Sequence, residues 1–367
     1  MADVTGSHAD RVARLRLIRS ERIGPIAYRA LIGRFGSAAE ALAALPDLAR
    51  RGGGSPPRIA ATADIERELK AVDQLGARHL LRGLPGYPGL LDQIDDAPAA
   101  LIVRGDEALL ARPAVAIVGA RNASAAAQRF ARQLGADLAR AGLAVISGLA
   151  RGIDGAAHQG ALAGGTIAVV AGGIDVVFPP EHEDLQAAIG RDGLLVAEMP
   201  PGTRPLARHF PRRNRVISGL SLGVVVVEAA PKSGSLITAR LAGEQGREVM
   251  AVPGNPLDPR ARGCNELIRD GATLVQGAED VVEALKPWRD APLAAPDDDF
   301  RPAMAVVDVE AGDRAVVVDL IGPVAVPVDE LIRLAALPPA IVHTVLLELE
   351  LAGRLDRHAG GRVSLIG

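Results

Sequence analysis

The sequence predicts an α/β protein whose main domain is an extended Rossmann-like, doubly wound and mostly parallel sheet. A small N-terminal all-helical domain and a C-terminal winged-helix-like domain flank it. Short apolar runs alternate with helical segments through the middle of the chain, and repeated βα units of this kind build parallel sheets. Apolar residues make up 49 % of the 367 residues and aromatic residues only 2 %, which suits strands buried on both faces. Ligands of such sheets bind outside the carboxyl ends of the strands, so the turns there should carry the function.

Seven strands are predicted in the second and third quarters of the chain, with helices in most of the intervals between them. The predicted strands are 114–118, 144–146, 166–171, 194–197, 224–227, 248–252 and 273–275. The predicted domains are a helical domain at 1–83, the Rossmann-like domain at 84–286, a Pro/Ala/Asp-rich linker at 287–304 and the winged-helix-like domain at 305–367.

The N-terminal domain alternates helical periodicity with glycine-bearing turns, and Ile23-Gly24-Pro25 joins its first two helices. A turn of this type between short helices is typical of a helix-hairpin-helix, which in other proteins offers backbone N–H groups to a DNA phosphate. For this domain, DNA contact and plain packing or self-association both remain open.

The tail is predicted to form three helices followed by a Gly-Gly hairpin. Its third predicted helix, 339–352, has no Lys or Arg and carries Glu348 and Glu350. Residues 306–367 hold nine acids against five arginines. Because a helix that enters the major groove needs side chains that contact bases or phosphates, we predict that the tail serves protein contact or packing and not duplex readout.

Charge and cysteine content limit the class of protein. The net charge is only −3, so any nucleic-acid surface must be local. Cys264 is the only cysteine, which excludes an internal disulfide framework and fits a reducing cytoplasm. The N-terminal residues mix acids with arginines and lack the apolar region of a signal peptide, and no segment is predicted to span a membrane.

A glycine-rich turn follows the second predicted strand, where Ser147-Gly148 leads through Arg151 into a helix of small residues. At such a junction the N–H groups of the first helical turn and the helix dipole point into the crevice, and an anion is the natural occupant. Asp154 and His158 lie one turn apart on this helix. They are either a helix cap with a core histidine or a proton-transfer pair.

The other turns at this edge are basic and lack dinucleotide motifs. The turn after the first predicted strand, Gly119-Ala-Arg121, has no Gly-x-Gly-x-x-Gly, and the second strand ends without an acid for a ribose hydroxyl. NAD and FAD are therefore disfavoured, and no cofactor is predicted. No acid occurs from residue 199 to 227, while five arginines lie within residues 204–215. A basic run at the ligand edge of a net-acidic protein favours anion binding over a merely solvated face.

Lys232-Ser233-Gly234 follows the fifth predicted strand and precedes a helix start rich in small hydroxyl residues. This geometry suits a phosphate. The Gly-x-x-x-x-Gly-Lys spacing of a Walker A loop is absent, so ATP hydrolysis is not supported. Further along, Asn265 is either a helix cap or a ligand contact.

Several blocks of the predicted sheet domain resemble the DprA family, also called Smf, of bacterial DNA-processing proteins. In the family's order, over roughly residues 80–285, these blocks include Val115-Ala-Ile-Val-Gly-Ala-Arg121, Ser147-Gly-Leu-Ala-Arg-Gly-Ile-Asp-Gly-Ala-Ala-His158, Phe210-Pro-Arg-Arg-Asn-Arg215, Lys232-Ser-Gly-Ser-Leu-Ile-Thr-Ala239 and Ala251-Val-Pro-Gly254. One departure is Phe178-Pro179, which stands where a Tyr-Pro is common.

The resemblance implies a non-catalytic protein that binds single-stranded DNA at the basic sheet edge, protects incoming DNA and loads the RecA recombinase during natural transformation. By motif, Arg121 and Lys232 take the main phosphate-binding positions. The surrounding positions are Gly119, Ser147, Gly148, Arg151, Arg212, Arg213, Asn214, Ser233, Gly234 and Asn265. Family members self-associate in the region of Leu267 and Ile268, which implies a homodimer interface there.

The rival class is an enzyme. The same architecture resembles the lysine-decarboxylase-like phosphoribohydrolases, which cut the N-glycosidic bond of a nucleotide with a Pro-Gly-Gly-x-Gly-Thr-x-x-Glu loop. The corresponding turn here runs from Lys232 to Thr238 and offers no matching glutamate. Glu198 and Glu228 at strand ends remain as acids that could be catalytic or could anchor the nearby arginines.

Overall fold

The computed structural model describes residues 7–290, 309–358 and 360–366. The chain divides into two compact units, one made of residues 68–294 and the other of residues 1–67 together with 295–367. Within the described ranges, no helix is long and apolar enough to cross a bilayer.

The larger unit is built on a nine-stranded sheet of order β1-β2-β6-β5-β4-β3-β7-β8-β9. The strands are β1 Arg78–Leu81, β2 Ala100–Gly105, β3 Ala114–Gly119, β4 Ala144–Ser147, β5 Thr166–Val170, β6 Leu194–Ala197, β7 Gly223–Val227, β8 Glu248–Ala251 and β9 Thr273–Leu274. In the order of the sheet, every neighbouring pair from β6 through β5, β4, β3, β7 and β8 to β9 is parallel, whereas β1–β2 and β2–β6 are antiparallel. The chain runs outward from β3 in one direction and returns to place β7 on its other side. The topological switch point, where doubly wound sheets bind ligands, is therefore the junction of β3 and β7.

Helices cover the sheet, and apolar side chains are buried on both of its faces. Along β3, Val115 and Ile117 belong to one apolar cluster while Ala116 and Val118 belong to another, as the two-residue period of a strand requires. The helices are α4 Thr62–Gln74, α5 Gly89–Asp92, α6 Ala125–Arg140, α7 Ile153–Ala161, α8 Glu183–Asp192, α9 His209–Gly219, α10 Gly234–Glu244, α11 Arg262–Arg269 and α12 Ala278–Asp290. This two-sided burial explains the high content of small and branched apolar residues.

The smaller unit joins the two ends of the chain. Its elements are α1 His8–Arg19, α2 Pro25–Phe35, α3 Ala38–Arg51, α13 Ala311–Asp319, β10 Val326–Pro327, α14 Val328–Ala335, α15 Pro339–Leu351, β11 Leu355–His358 and β12 Arg362–Leu365. The three strands form an antiparallel sheet of order β10-β12-β11, which with α13 to α15 makes the winged-helix arrangement that the sequence predicts. Helix α15 packs on α3.

Two predicted boundaries need correction. Residues 78–81, assigned above to the helical domain at 1–83, form β1 and pair with β2 in the large sheet. Residues 287–290, assigned to the linker, are the last turn of α12. The remaining linker residues lie outside the described part of the chain.

Candidate nucleic-acid interface

The turns after β3 and β7 lie side by side at the carboxyl edge of the sheet. Gly119 is paired with Val227, and the backbone N–H of Ala120 donates to the carbonyl of Glu228 at 2.8 Å. A Cβ on Gly119 would lie 2.0 Å from the Val227 carbonyl oxygen, so this glycine serves close strand packing. The register places the turn of Arg121 next to the turn of Lys232, and both residues are exposed.

Backbone strain is concentrated in these turns. Leu149, Glu228 and Lys232 have φ angles of 54°, 58° and 67°, in the left-handed region that non-glycine residues rarely adopt. Such strain is often found at ligand sites, because the surrounding structure must hold it. Here the Glu228 carboxylate accepts a 2.7 Å hydrogen bond from the backbone N–H of Ser124, which braces the two turns against each other.

The start of α10 forms an open helix N-terminus beside Lys232. Ser233 is its N-cap, and the Ser233 hydroxyl oxygen accepts from the backbone N–H of Ser235. A Cβ on Gly234 would meet nothing within 4 Å, so the first turn is not covered. The Asn214 amide donates to the Gly234 carbonyl at 3.4 Å, which joins α9 to this turn. An anion at this end of α10 would meet backbone donors and a lysine together.

The glycine-rich turn after β4 is held from beneath by two buried charged residues. The Asp154 carboxylate accepts from the backbone N–H groups of Gly148 at 3.1 Å and Ala150 at 3.4 Å. The Arg213 guanidinium donates to the Val169 carbonyl at 2.9 Å, and a Cβ on Gly148 would lie 1.6 Å from it. A side chain at position 148 would therefore displace the Arg213 guanidinium, which lies directly against the turn.

Burial shifts the pKa of both charged groups. The pKa of Asp154 is raised by desolvation, and the positive charge of Arg213 opposes this shift. Desolvation lowers the pKa of Arg213 to about 10, with the charge of Asp154 acting in the opposite direction and that of Arg121 adding to the lowering. Arg213 therefore remains charged at neutral pH and carries its charge close to Arg121.

His158, the histidine of the glycine-rich motif, is fully buried. His158 Nδ1 lies 2.7 Å from the Thr166 hydroxyl, and burial lowers the pKa of His158 to about 3, so its ring is neutral at pH 7. The Asp154 carboxylate accepts from N–H groups in the turn before α7 and does not cap the N-terminus of α7, where Gly152 is the N-cap. The fully buried Ser147 hydroxyl donates to the Ile117 carbonyl at 2.6 Å. This arrangement favours the structural alternative over a proton-transfer pair.

The exposed cationic side chains at this edge include Arg121, Arg151, Arg212 and Lys232. Arg151 pairs with Glu181, and Arg212 pairs with Glu198 at 2.8 Å while its side chain stays 47 % exposed. Glu198 also accepts from the buried Arg215 at 2.7 Å. Glu228 in turn lies 3.5 Å from Arg260. Both strand-end acids thus occupy the anchoring role, which was one of the two alternatives.

An aromatic pair that we did not predict lies against Arg121. The rings of Phe178 and Phe210 are 5.6 Å apart, and the Arg121 guanidinium lies 5.1 Å from the Phe210 centroid. Phe178 is 45 % exposed. Aromatic faces beside cations are the surfaces on which unpaired bases stack. In the sequence, Phe178 was noted only as a departure from a common Tyr-Pro, and Phe210 lies inside the basic run, where only the arginines were interpreted.

The last predicted residues lie around α11. Asn265 uses its amide on the main chain of Gly254, accepting from its N–H at 3.1 Å and donating to its carbonyl at 3.0 Å. Asn265 is not the N-cap, because α11 begins after Ala261. Leu267 and Ile268 are partly buried and pack against the sheet core. In the described part of the chain, no cluster of His, Cys, Asp and Glu side chains could hold a metal ion.

Comparison with known proteins covers nearly the whole chain. The family profile of DNA recombination-mediator protein A matches residues 78–286, the DprA-like N-terminal HHH domain matches residues 8–71, and the DprA winged helix domain matches residues 291–361. Protein Smf of Escherichia coli is 43 % identical over 282 residues, which are 76 % of this chain and 75 % of that protein.

Two solved structures agree with the fold. The X-ray structure of DNA processing protein A from Streptococcus pneumoniae has a TM-score of 0.58 and 42 % identity, and the match covers 61 % of this chain and 78 % of that one. The Helicobacter pylori protein, described for its single-stranded DNA binding mode, has a TM-score of 0.53 and 29 % identity, with 57 % and 96 % covered. The fold, the three matched domains and these relatives together establish that the chain belongs to the DprA family of DNA-processing proteins.

Proposed function

We propose that this protein binds single-stranded DNA without catalysis, in a groove along the carboxyl edge of the sheet. The observation that carries the proposal is the junction of β3 and β7, where exposed Arg121 and Lys232 flank the open N-terminus of α10. Phosphates would meet cations and helix N–H groups there at once. The Phe178–Phe210 pair supports a preference for single strands, because only unpaired bases can stack on it.

The burial of the proposed site residues divides them into two roles. Exposed residues would contact the backbone of the DNA, and buried or internally bonded residues would hold the turns in place. The contact group is Arg121, Arg151, Arg212, Lys232 and Gly234. The positioning group is Gly119, Ser147, Gly148, Arg213, Asn214, Ser233 and Asn265.

Salt dependence of the affinity tests this site. If the groove neutralises about three to five phosphates, log K should fall against log salt with a slope of about −2 to −3.5, from roughly −0.7 per phosphate. Fluorescence anisotropy with a labelled oligo-dT and the matching duplex would measure the slope and the strand preference. Equal affinity for the duplex would contradict a groove selective for single strands.

Two further parts of the proposal concern partners. As in the family that the chain resembles, the protein would load the RecA recombinase onto the bound strand and would act as a homodimer. The β9 end of the sheet supports an interface, because β9 pairs only with β8 among the described strands and Leu274 is 44 % exposed. Strand exchange by RecA on strands covered with single-strand-binding protein, with and without this chain, would test the loading role.

The enzyme alternative can be tested directly. Glu198 and Glu228 are engaged by arginines and backbone donors, so neither is placed as an uncommitted acid. Incubation with nucleoside monophosphates should release no free base above the buffer rate. Release that disappears in Glu198→Gln or Glu228→Gln would replace the proposal with phosphoribohydrolase activity.

A further inference from the structure

The third helix of the winged-helix module, α15, is buried on two sides. Val342, Val345, Leu346 and Leu349 belong to the apolar core of that module. Leu347 and Leu351 lie outside that core and are equally buried. The additional cover is the N-terminal module, because α15 packs along α3 and also meets α2.

The two modules approach each other backbone to backbone. A Cβ on Gly52, just after α3, would lie 2.1 Å from the Glu348 carbonyl oxygen. A Cβ on Gly54 would lie 2.2 Å from the Ala352 carbonyl oxygen. Because backbone atoms cannot swing aside as a side chain can, both positions require glycine for this contact.

Two arginines tie the modules together across this contact. Arg22 of the N-terminal module donates to the Leu351 carbonyl at 3.0 Å and also to the Ser55 carbonyl at 3.0 Å. Arg354 of the tail donates in the other direction, to the Gly52 carbonyl at 3.1 Å. A cation at the C-terminal end of a helix meets unsatisfied carbonyls and the negative end of the helix dipole.

The charge of α15 also argues against contact with the negatively charged DNA backbone. The helix has no Lys or Arg, and its Glu348 is fully buried and pairs with Arg314 at 2.9 Å. Glu350 pairs with Arg357 at 2.7 Å, and its pKa is raised by burial. The third helix of a DNA-reading winged helix needs exposed donors in the groove instead.

We propose that α15 is an intramolecular docking surface for the N-terminal module, so that the two ends of the chain form one closed unit. The face that reads duplex DNA in helix-turn-helix proteins is then the covered face. The tail should therefore stay bound to the rest of the chain when the segment before α13 is cut.

The test uses the full chain with a specific protease site inserted between residues 291 and 300. After cleavage, size-exclusion chromatography should show the C-terminal fragment eluting with the remainder. In the variant Gly52→Ala/Gly54→Ala the C-terminal fragment should elute separately, because its affinity for the remainder should be about tenfold lower. Gly33→Ala is the matched control, because a Cβ there meets nothing within 4 Å.

Hydrogen exchange in the uncut chain provides a second measurement. Backbone amides of α15 should exchange about tenfold faster in the glycine double variant than in the Gly33→Ala control. If that variant fails to fold, Arg22→Met and Arg354→Met weaken the same contact without steric strain and should speed fragment release. Release of the wild-type tail on cutting, or equal retention in all variants, would overturn the docking surface.

The affinity for duplex DNA distinguishes an intramolecular docking surface from a covered DNA-reading helix. Opening the contact with Arg22→Met/Arg354→Met should leave duplex affinity within about twofold of the wild type. A gain of about tenfold or more would mean that α15 is a covered DNA-reading helix, and the proposal would be wrong.

Discussion

Arg212 and Arg213 are adjacent in sequence, but replacing each by Met should have different effects. Loss of Arg213 should lower Tm, and loss of Arg212 should reduce the salt dependence of DNA binding. Arg212 is 47 % exposed and pairs with Glu198, which is 11 % exposed and also paired with Arg215, whereas Arg213 is buried beside Asp154 under the glycine-rich turn. An ion pair with one exposed partner contributes about 0–1 kcal/mol, whereas leaving the buried Asp154 carboxylate without the nearby charge of Arg213 is comparable to breaking a buried pair, which costs about 3–5 kcal/mol. At roughly 2–4 °C per kcal/mol for a unit of this size, Arg213→Met should lower Tm by about 6–20 °C. Arg212→Met should change it by less than about 4 °C.

The salt slope for single-stranded DNA should show the reverse order. Arg212→Met removes a phosphate contact and should flatten the slope by about 0.7, while Arg213→Met should weaken binding by disturbing the turn and leave the slope unchanged. Asp154→Asn added to Arg213→Met removes the uncompensated carboxylate, so it should recover part of the lost Tm. Differential scanning calorimetry and anisotropy titrations at several salt concentrations give both quantities. A flattened slope with unchanged Tm in Arg213→Met would show that Arg213 contacts phosphate, and the assignment by burial would be wrong.

Three further outcomes can be measured. Arg121→Ala and Lys232→Ala should each flatten the salt slope by about 0.7 with little change in Tm, and unchanged affinity of the double variant would remove the basis for the site. Leu267→Glu or Ile268→Glu should give a folded monomer on a sizing column with weaker DNA binding, because a two-fold interface brings the new charge against its own copy; early melting would show instead that these side chains are ordinary core. The pKa of His158 is lowered to about 3, so the unfolded state takes up the proton first and the contribution of His158 to stability is lost as pH falls below its unfolded pKa near 6.5. Between pH 6.5 and 5 this should cost about 2 kcal/mol, and a His158→Gln variant whose Tm falls equally over that range would contradict it.

The parallel part of the sheet could be predicted from sequence because its pattern is local. All seven predicted strands occur as β3 to β9, each within a residue of its predicted ends. Strands β1 and β2 were missed, because they are antiparallel strands at one edge and no βα alternation marks them. The turns that carry the site followed from the same alternation, since the carboxyl ends of parallel strands meet at one edge.

Burial within the site could not be predicted, because it depends on the packing of whole elements. Arg212 and Arg213 are one residue apart on α9, which turns their side chains about 100° apart around the helix. Nothing in the basic run states which of the two faces the sheet, and that orientation decides which one can reach a phosphate. A glycine pair in the smaller unit shows the same limit. In the sequence, Gly52 and Gly54 look like part of a loop that ends a helix. Each must nevertheless be glycine, because a side chain would clash with a carbonyl oxygen almost three hundred residues further along the chain. Their role therefore follows from the packing of α15 and from no local pattern.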